Sequence, residues 1–204
     1  ASGGRDRGGA VRMLTHGRVL LSFLMLLLSI QVASADAPYE QRRVKAGVKF
    51  FQAMLAADLD IKSKKGDDGA LLVLVVYQGN GASAEKIARQ LSVSDKGQTP
   101  KLIRKIPVHV EVTNDMTFQQ FADRKVAGVF IGENMGRGDL GSVIGYGSDK
   151  GVVVFSPFSG HVENGVLGGI SVEAYVLPFV NMKTLSNSGV RLKPFFMGVV
   201  KRYE

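Results

Sequence analysis

Seven consecutive residues without a charged or strongly polar side chain, Leu71–Tyr77 (LLVLVVY), constrain this chain more than any other stretch. The run is too short for a buried helix, and it has no polar face. It suits a strand covered on both sides, so helices must lie above and below it. Val126–Ile131 (VAGVFI) and Val152–Phe155 read the same way. Ile106–Val112 (IPVHVEV) alternates instead, as a strand with one wet face or an edge position does.

Helical patterns separate these strands. Val44, Val48, Phe51, Leu55 and Leu59 recur at helical spacing in a long amphipathic segment. A helix over Ser83–Val93 would turn Ala84, Ile87, Ala88 and Leu91 inward. Thr117 followed by Gln120 fits a capping box, opening a helix that buries Phe118 and Phe121. Asp139 is placed to cap a short helix through Val143 and Ile144. Strand and helix thus alternate four times. The expected fold is α/β, three-layered, with a mostly parallel sheet and helices on both faces.

The tail breaks the alternation. Gly168–Asn181 (GGISVEAYVLPFVN) reads as a C-terminal antiparallel strand pair, in which Pro178 favours an edge position. Leu192, Phe195, Phe196, Val199 and Tyr203 suggest a last helix, with Pro194 in its first turn.

The chain begins with a different kind of segment. Residues 13–35 combine Arg18, the apolar run Val19–Ile30 and the small residues Ala33 and Ala35, the order found in a secretory signal peptide. Residues 1–12, rich in Gly and Arg, are set aside as an upstream remnant. Residues 36–204 then form a single α/β domain, long enough to bury its own core, and the expected location is the periplasm.

The chemistry on offer is sparse. There is no cysteine, which excludes disulfides, thiolate catalysis and cysteine-ligated metals. The net charge is +8 over the whole chain, but the basic residues are scattered and make no stripe with interleaved aromatics, so nucleic acid is not an expected partner. Lys62–Lys65 reads as a solvated loop. No G-x-S-x-G elbow and no paired carboxylates with a partner base occur, and no cofactor or metal is expected. His161 and Glu163 make at most half a ligand set and read as a surface pair.

Gly79–Ala84 (GNGASA) fits G-x-G-x-x-A between a strand and a helix. A dinucleotide fold also needs an acid at the end of the second strand. Asp95 falls in a loop before any strand, and Glu111 lies inside one. A turn with Ser83 as N-cap is the simpler account. Ligands of parallel sheets bind beyond the carboxyl ends of strands, so SPFSGH (156–161) is the best-placed loop for a ligand or partner. Phe158, Ser159 and His161 are its candidate contacts, against the plainer reading that Phe158 only plugs the core. Asn181 is a further candidate, with helix capping as its structural role. Gly189 suits a left-handed turn.

Two stretches, VKAGVKFFQAML (44–55) and GGISVEAYVLPFVNMKTLSNSGVRLKPFFMGVVKRY (168–203), together with the order of strands between them, resemble the YfiR-like family of bacterial periplasmic proteins. The resemblance places this chain in a cysteine-free branch. It implies a non-catalytic regulator that binds the periplasmic part of a membrane-bound signalling protein of the diguanylate cyclase type. Cyclic-di-GMP signalling and biofilm are the implied outputs, and an outer-membrane lipoprotein is a second implied partner. A homodimer is left open. The alternative reading is a periplasmic small-ligand protein, holding an anion or nucleotide and serving a transporter.

Overall fold

A computed structural model of the protein describes residues 36–94, 97 and 99–204, with side chains from residue 39. The expected leader, the upstream remnant and Asp95 lie outside the described residues. The compact unit considered below runs from Arg42 to Glu204.

The elements follow in the order α1 (Asp36–Ala57), β1 (Leu71–Val76), α2 (Gly81–Ser92), β2 (Leu102–Ile103), β3 (Ile106–Thr113), a 3-10 turn (Gln119–Phe121), β4 (Val126–Ile131), α3 (Arg137–Lys150) and β5 (Val153–Ser156). The tail adds β6 (Gly168–Val172), β7 (Val176–Asn181), α4 (Met182–Asn187), α5 (Pro194–Met197) and β8 (Lys201–Tyr203). All eight strands join one sheet, ordered β2-β3-β1-β4-β5-β6-β7-β8. Strands β3, β1, β4, β5 and β6 are parallel, and β7 turns back antiparallel on β6. The fold is the expected α/β architecture with a mostly parallel sheet.

The pleat of β1 sorts its side chains into two cores. Leu71, Val73 and Val75 join Phe51, Leu55, Ile87 and Leu91 from α1 and α2. Leu72, Leu74 and Val76 join Leu140 and Val143 from α3, with Phe118 and Phe121. On the first face the rings of Phe51, Phe130 and Phe155 lie 5.5 to 5.8 Å apart. Burying each such ring contributes about 1.5–3 kcal/mol. Gly128 makes this approach feasible, since a Cβ there would lie 2.8 Å from both Phe51 and Leu55. Gly147 serves the other face in the same way, letting α3 settle against Val154.

Several expectations are corrected. Leu59 lies past the end of α1 and is 46% exposed, because the chain turns at Asp58 to bridge Leu192. Thr117 opens only a 3-10 turn: Phe118 takes a left-handed φ of 55°, and the Gln120 amide donates to Thr113 Oγ1 instead of closing a capping box. Both phenylalanines are buried nonetheless. Gly136, not Asp139, stands at the N-cap of α3, and Asp139 lies in its first turn. β3 is not the sheet edge, because the two-residue β2 pairs outside it. The final helix is only four residues long. Its Phe196 is buried, but Val199 is exposed, and the chain continues as the edge strand β8. Pro178 lies in a strand with neighbours on both sides. β8 begins pairing only at Phe179, so the missing Pro178 N–H leaves no bond unmade on that side.

Candidate functional site

The chain leaves β1 toward β3 on one side of the sheet and returns to β4 on the other. The loops after β1 and β4 therefore diverge and open a crevice at their carboxyl ends, the place where such sheets bind ligands. Here the crevice is filled from within. Glu133, just after β4, directs its carboxylate at three successive backbone N–H groups following β1. Gln78 and Gly79 donate to Oε1, the latter at 2.7 Å, and Asn80 donates to Oε2 at 2.9 Å. Partial burial alone would raise the Glu133 pKa; the three N–H donors outweigh it and hold the carboxyl below its usual value. The Gln78 side chain adds a bond to Asp139 at the start of α3. An oxyanion would have to displace this carboxylate to use the Gly79–Ala84 turn.

The helix cap beside it differs from the expected one. Asn80, not Ser83, is the N-cap of α2, and its Oδ1 accepts from Ser83 N at 3.0 Å. The side chain of Asn is short enough to reach back to its own helix, and this releases Ser83 from the role.

The candidate loop after β5 is knotted into a polar chain that is buried at Ser156 and His161 and reaches the surface at Asn134. Ser156 Oγ lies 2.7 Å from His161 Nδ1, and His161 Nε2 lies 2.8 Å from Asn134 Oδ1. Since the amide oxygen only accepts, Nε2 carries the proton, and Nδ1 takes the Ser156 hydroxyl proton. Phe158 N–H donates to the same Oγ at 3.2 Å. A serine, a histidine and an orienting amide in series follow the logic of an activated nucleophile. The exposure argues otherwise: Ser156 is 0% exposed, so no substrate carbonyl can reach it. His161 is 3% exposed, which corrects the surface pairing with Glu163. Its burial lowers the pKa, and the nearby Glu163 charge only partly opposes this.

The four sequence candidates thus separate. The Phe158 ring packs 5.7 Å from the His161 ring. Ser159 is exposed on the loop. Asn181 caps α4 through Oδ1, accepting from Thr184 N at 2.9 Å, while its Nδ2 donates to Val162 O at 2.7 Å. That second bond ties Asn181 to the loop carrying His161. Gly189 takes the expected left-handed conformation, with φ 68°.

Asn181 also lines an open cleft of about 550 Å³, bounded by α3, the loop 163–165, α4 and the end of β8. Sequence reasoning missed its other walls, Glu163, Lys183, Asn187 and Tyr203 among them. They gather at the carboxyl end of β7 and β8, opposite to the end where a purely parallel sheet would place a site. Elsewhere, His109 reaches Glu111 at 3.3 Å on the surface. Among the described residues no group of His, Cys, Asp and Glu is placed to hold a metal ion, and no helix is long and apolar enough to cross a membrane.

A second surface feature is apolar. Val172, Tyr175, Val176 and Leu177 are exposed at the tip of the β6–β7 hairpin. The parallel register of β7 and β8 pairs Phe179 with Lys201, and Val199 lies in the turn that leads into β8, its N–H donating to Phe196 O at 3.1 Å. Lys201 bonds to Glu173 and Ser171, fastening the tip to β8. Phe195 and Val199 are 70% and 60% exposed, and the Lys193 ammonium lies 6.0 Å from the Phe195 ring centre.

No known family model matches the chain, and no curated protein matches it. Among solved structures, it is similar to one described as the ABC domain in complex with L-Trp from Streptococcus pneumonia. The two share 9% identity at a TM-score of 0.46, over 74% of this chain and 60% of that one, so this chain spans under two thirds of that neighbour's length.

Proposed function

We propose that this chain is an exported, non-catalytic regulatory protein that binds the periplasmic part of a membrane-bound signalling protein of the diguanylate cyclase type. The observation that carries the reading is an exposed apolar band on the surface: the β6–β7 hairpin tip, with Phe195 and Val199 also exposed in the segment that leads into β8. Four exposed apolar residues at one hairpin tip mark an interaction surface more often than a solvent face. Tyr175 and Phe195 add exposed aromatic surface, in which protein interfaces are enriched. Lys193 gives the band a basic rim, so the complementary surface is an apolar patch bordered by acidic residues. The edge strand β8 is three residues long and carries Lys201 and Arg202, features that discourage strand-on-strand addition. Side-chain docking is therefore favoured over sheet extension. The segment 13–35 supports export, and the resemblance of the first helix and tail to YfiR-like proteins supports the class of partner. The burial of Ser156 supports a role without catalysis.

The test is a pull-down of the processed protein from envelope membranes, alongside cyclic-di-GMP measurement in a deletion strain. The expected result is recovery of a membrane signalling protein, lost on Leu177→Asp or Val199→Asp, and a cyclic-di-GMP level that changes on deletion. Unchanged cyclic-di-GMP with no membrane signalling protein recovered overturns the reading.

A further inference from the structure

We propose that the open cleft beside α4 is a binding site for a neutral, hydroxyl-rich small molecule of the saccharide class. Its volume, about 550 Å³, lies within the usual range for small-molecule sites. Its charge is reversed relative to the rest of the protein. In a chain of net charge +8, the cleft presents the carboxylates of Glu163 and Glu204 against the single ammonium of Lys183. That balance repels phosphates and nucleotides, which the sequence alone had left as candidates.

The wall chemistry suits hydroxyl groups. Among the described residues, the side chains of Lys183 and Glu163 and the Tyr203 hydroxyl make no hydrogen bond or ion pair within the protein. They offer donors and acceptors of both kinds, and the Asn187 amide adds one of each. The Tyr203 ring is held edge-on by Phe179, with centres 6.0 Å apart at 87°. It is 37% exposed, so ring surface is left over to stack on the C–H face of a pyranose. Ile144 contributes an apolar patch on the facing helix. The base of the cleft is rigid, because Asn181 is bonded on two sides, to Thr184 N and to Val162 O. A pre-ordered wall spares a ligand the cost of organising it. This inference does not depend on the partner reading above, since the apolar band and the cleft lie at opposite ends of β7.

The test uses the full chain with N-acetylglucosamine and maltose as probes and inorganic phosphate as the comparison. At ten times the dissociation constant, a binding sugar should raise Tm by about 3–5 °C. Backbone NMR shifts should move at Thr184, Asn187 and Tyr203. Phosphate should leave both unchanged relative to chloride at equal ionic strength. Asn187→Ala, on an exposed helix face, should weaken sugar binding by about tenfold or more, and Tyr203→Ala should weaken it further. The inference is overturned if neither sugar shifts Tm or the named resonances up to tens of millimolar, if phosphate does so equally well, or if folded Asn187→Ala binds as the parent does.

Discussion

Ser156 donates its hydroxyl proton to His161 Nδ1 across 2.7 Å in a space closed to solvent. The pairing needs a neutral imidazole. Protonation would turn Nδ1 into a donor, and the Ser156 hydroxyl would have to turn its own hydrogen away in a closed space while its oxygen accepts from both Nδ1 and Phe158 N. Burial accordingly lowers the His161 pKa.

A pH dependence follows. The unfolded chain takes up the His161 proton near the ordinary histidine value of about 6.5, whereas the folded chain takes it up only at lower pH. Between those limits the unfolded state binds more protons, so stability is full above the ordinary value and falls as pH drops below it. Denaturation midpoints measured from pH 7.5 to 5 should decline for the parent chain. The decline should flatten in His161→Gln. An equal slope in both would mean that another group is responsible.

Glu133 should behave as a structural anion. Replacing it with Ala strips an acceptor from three N–H groups, and a loss of about 1–2 kcal/mol is expected, tempered by solvent access. Because its folded pKa is depressed, this contribution is present above the ordinary glutamate value of about 4.3 and is lost as pH falls through the lower folded value. Urea titrations of parent and Glu133→Ala at pH 7 and pH 3 should show the difference closing in acid. Amide exchange at Gly79 and Asn80 should quicken in the variant.

Asp58 and Lys64 make a largely buried ion pair. The Asp58 carboxylate is fully buried, and Lys64 Nζ lies 2.6 Å from it and 2.6 Å from Gly151 O. Lys64 is thus not part of a solvated loop, as its basic neighbours suggested. Asp58→Ala leaves an ammonium in a largely closed site and should cost about 3–5 kcal/mol. The double variant Asp58→Leu with Lys64→Met should recover most of that loss in chemical denaturation. A double variant as unstable as the single one would assign the loss to the Asp60 N–H bond to Asp58 Oδ1, which both variants remove.

Tyr146 offers a change in the opposite direction. Its ring stacks on Phe118 at 4.2 Å, but its buried hydroxyl has no hydrogen-bond partner. Tyr146→Phe keeps the stacking and removes an unpaired polar atom, so stability should hold or rise by up to about 1 kcal/mol. A loss beyond that in a denaturant midpoint would reveal a bond made by the hydroxyl in solution.

What could be read from sequence divides along a physical line. Local periodicity found the buried strands and the inner face of α2, where Ala84, Ile87, Ala88 and Leu91 are all buried. It also found the Asn181 cap, a bond to a residue three positions on. Contacts between distant segments left no such mark. Glu133 bonds residues 53 and 54 positions away, and nothing in GNGASA announces that the N–H groups of its Gly79 and Asn80 are already taken. His161 looked like a surface residue because its loop is polar, yet Asn134 and Ser156 enclose it from the ends of two other strands. The last helix failed for a different reason. Apolar residues spaced for one helical face also fit a short turn followed by an edge strand, and over so few residues the two patterns coincide.

Strand β7 carries Leu177 at one end and Asn181 at the other, four residues or about 13 Å apart. Its first half helps to display the greasy tip, and its last residue forms the floor of the polar hollow. A protein that met two molecules here would need no hinge or moving lobe to let one arrival register with the other. A single stretch of backbone, held by β6 along its length and by β8 over its last three residues, would serve as the lever arm between them.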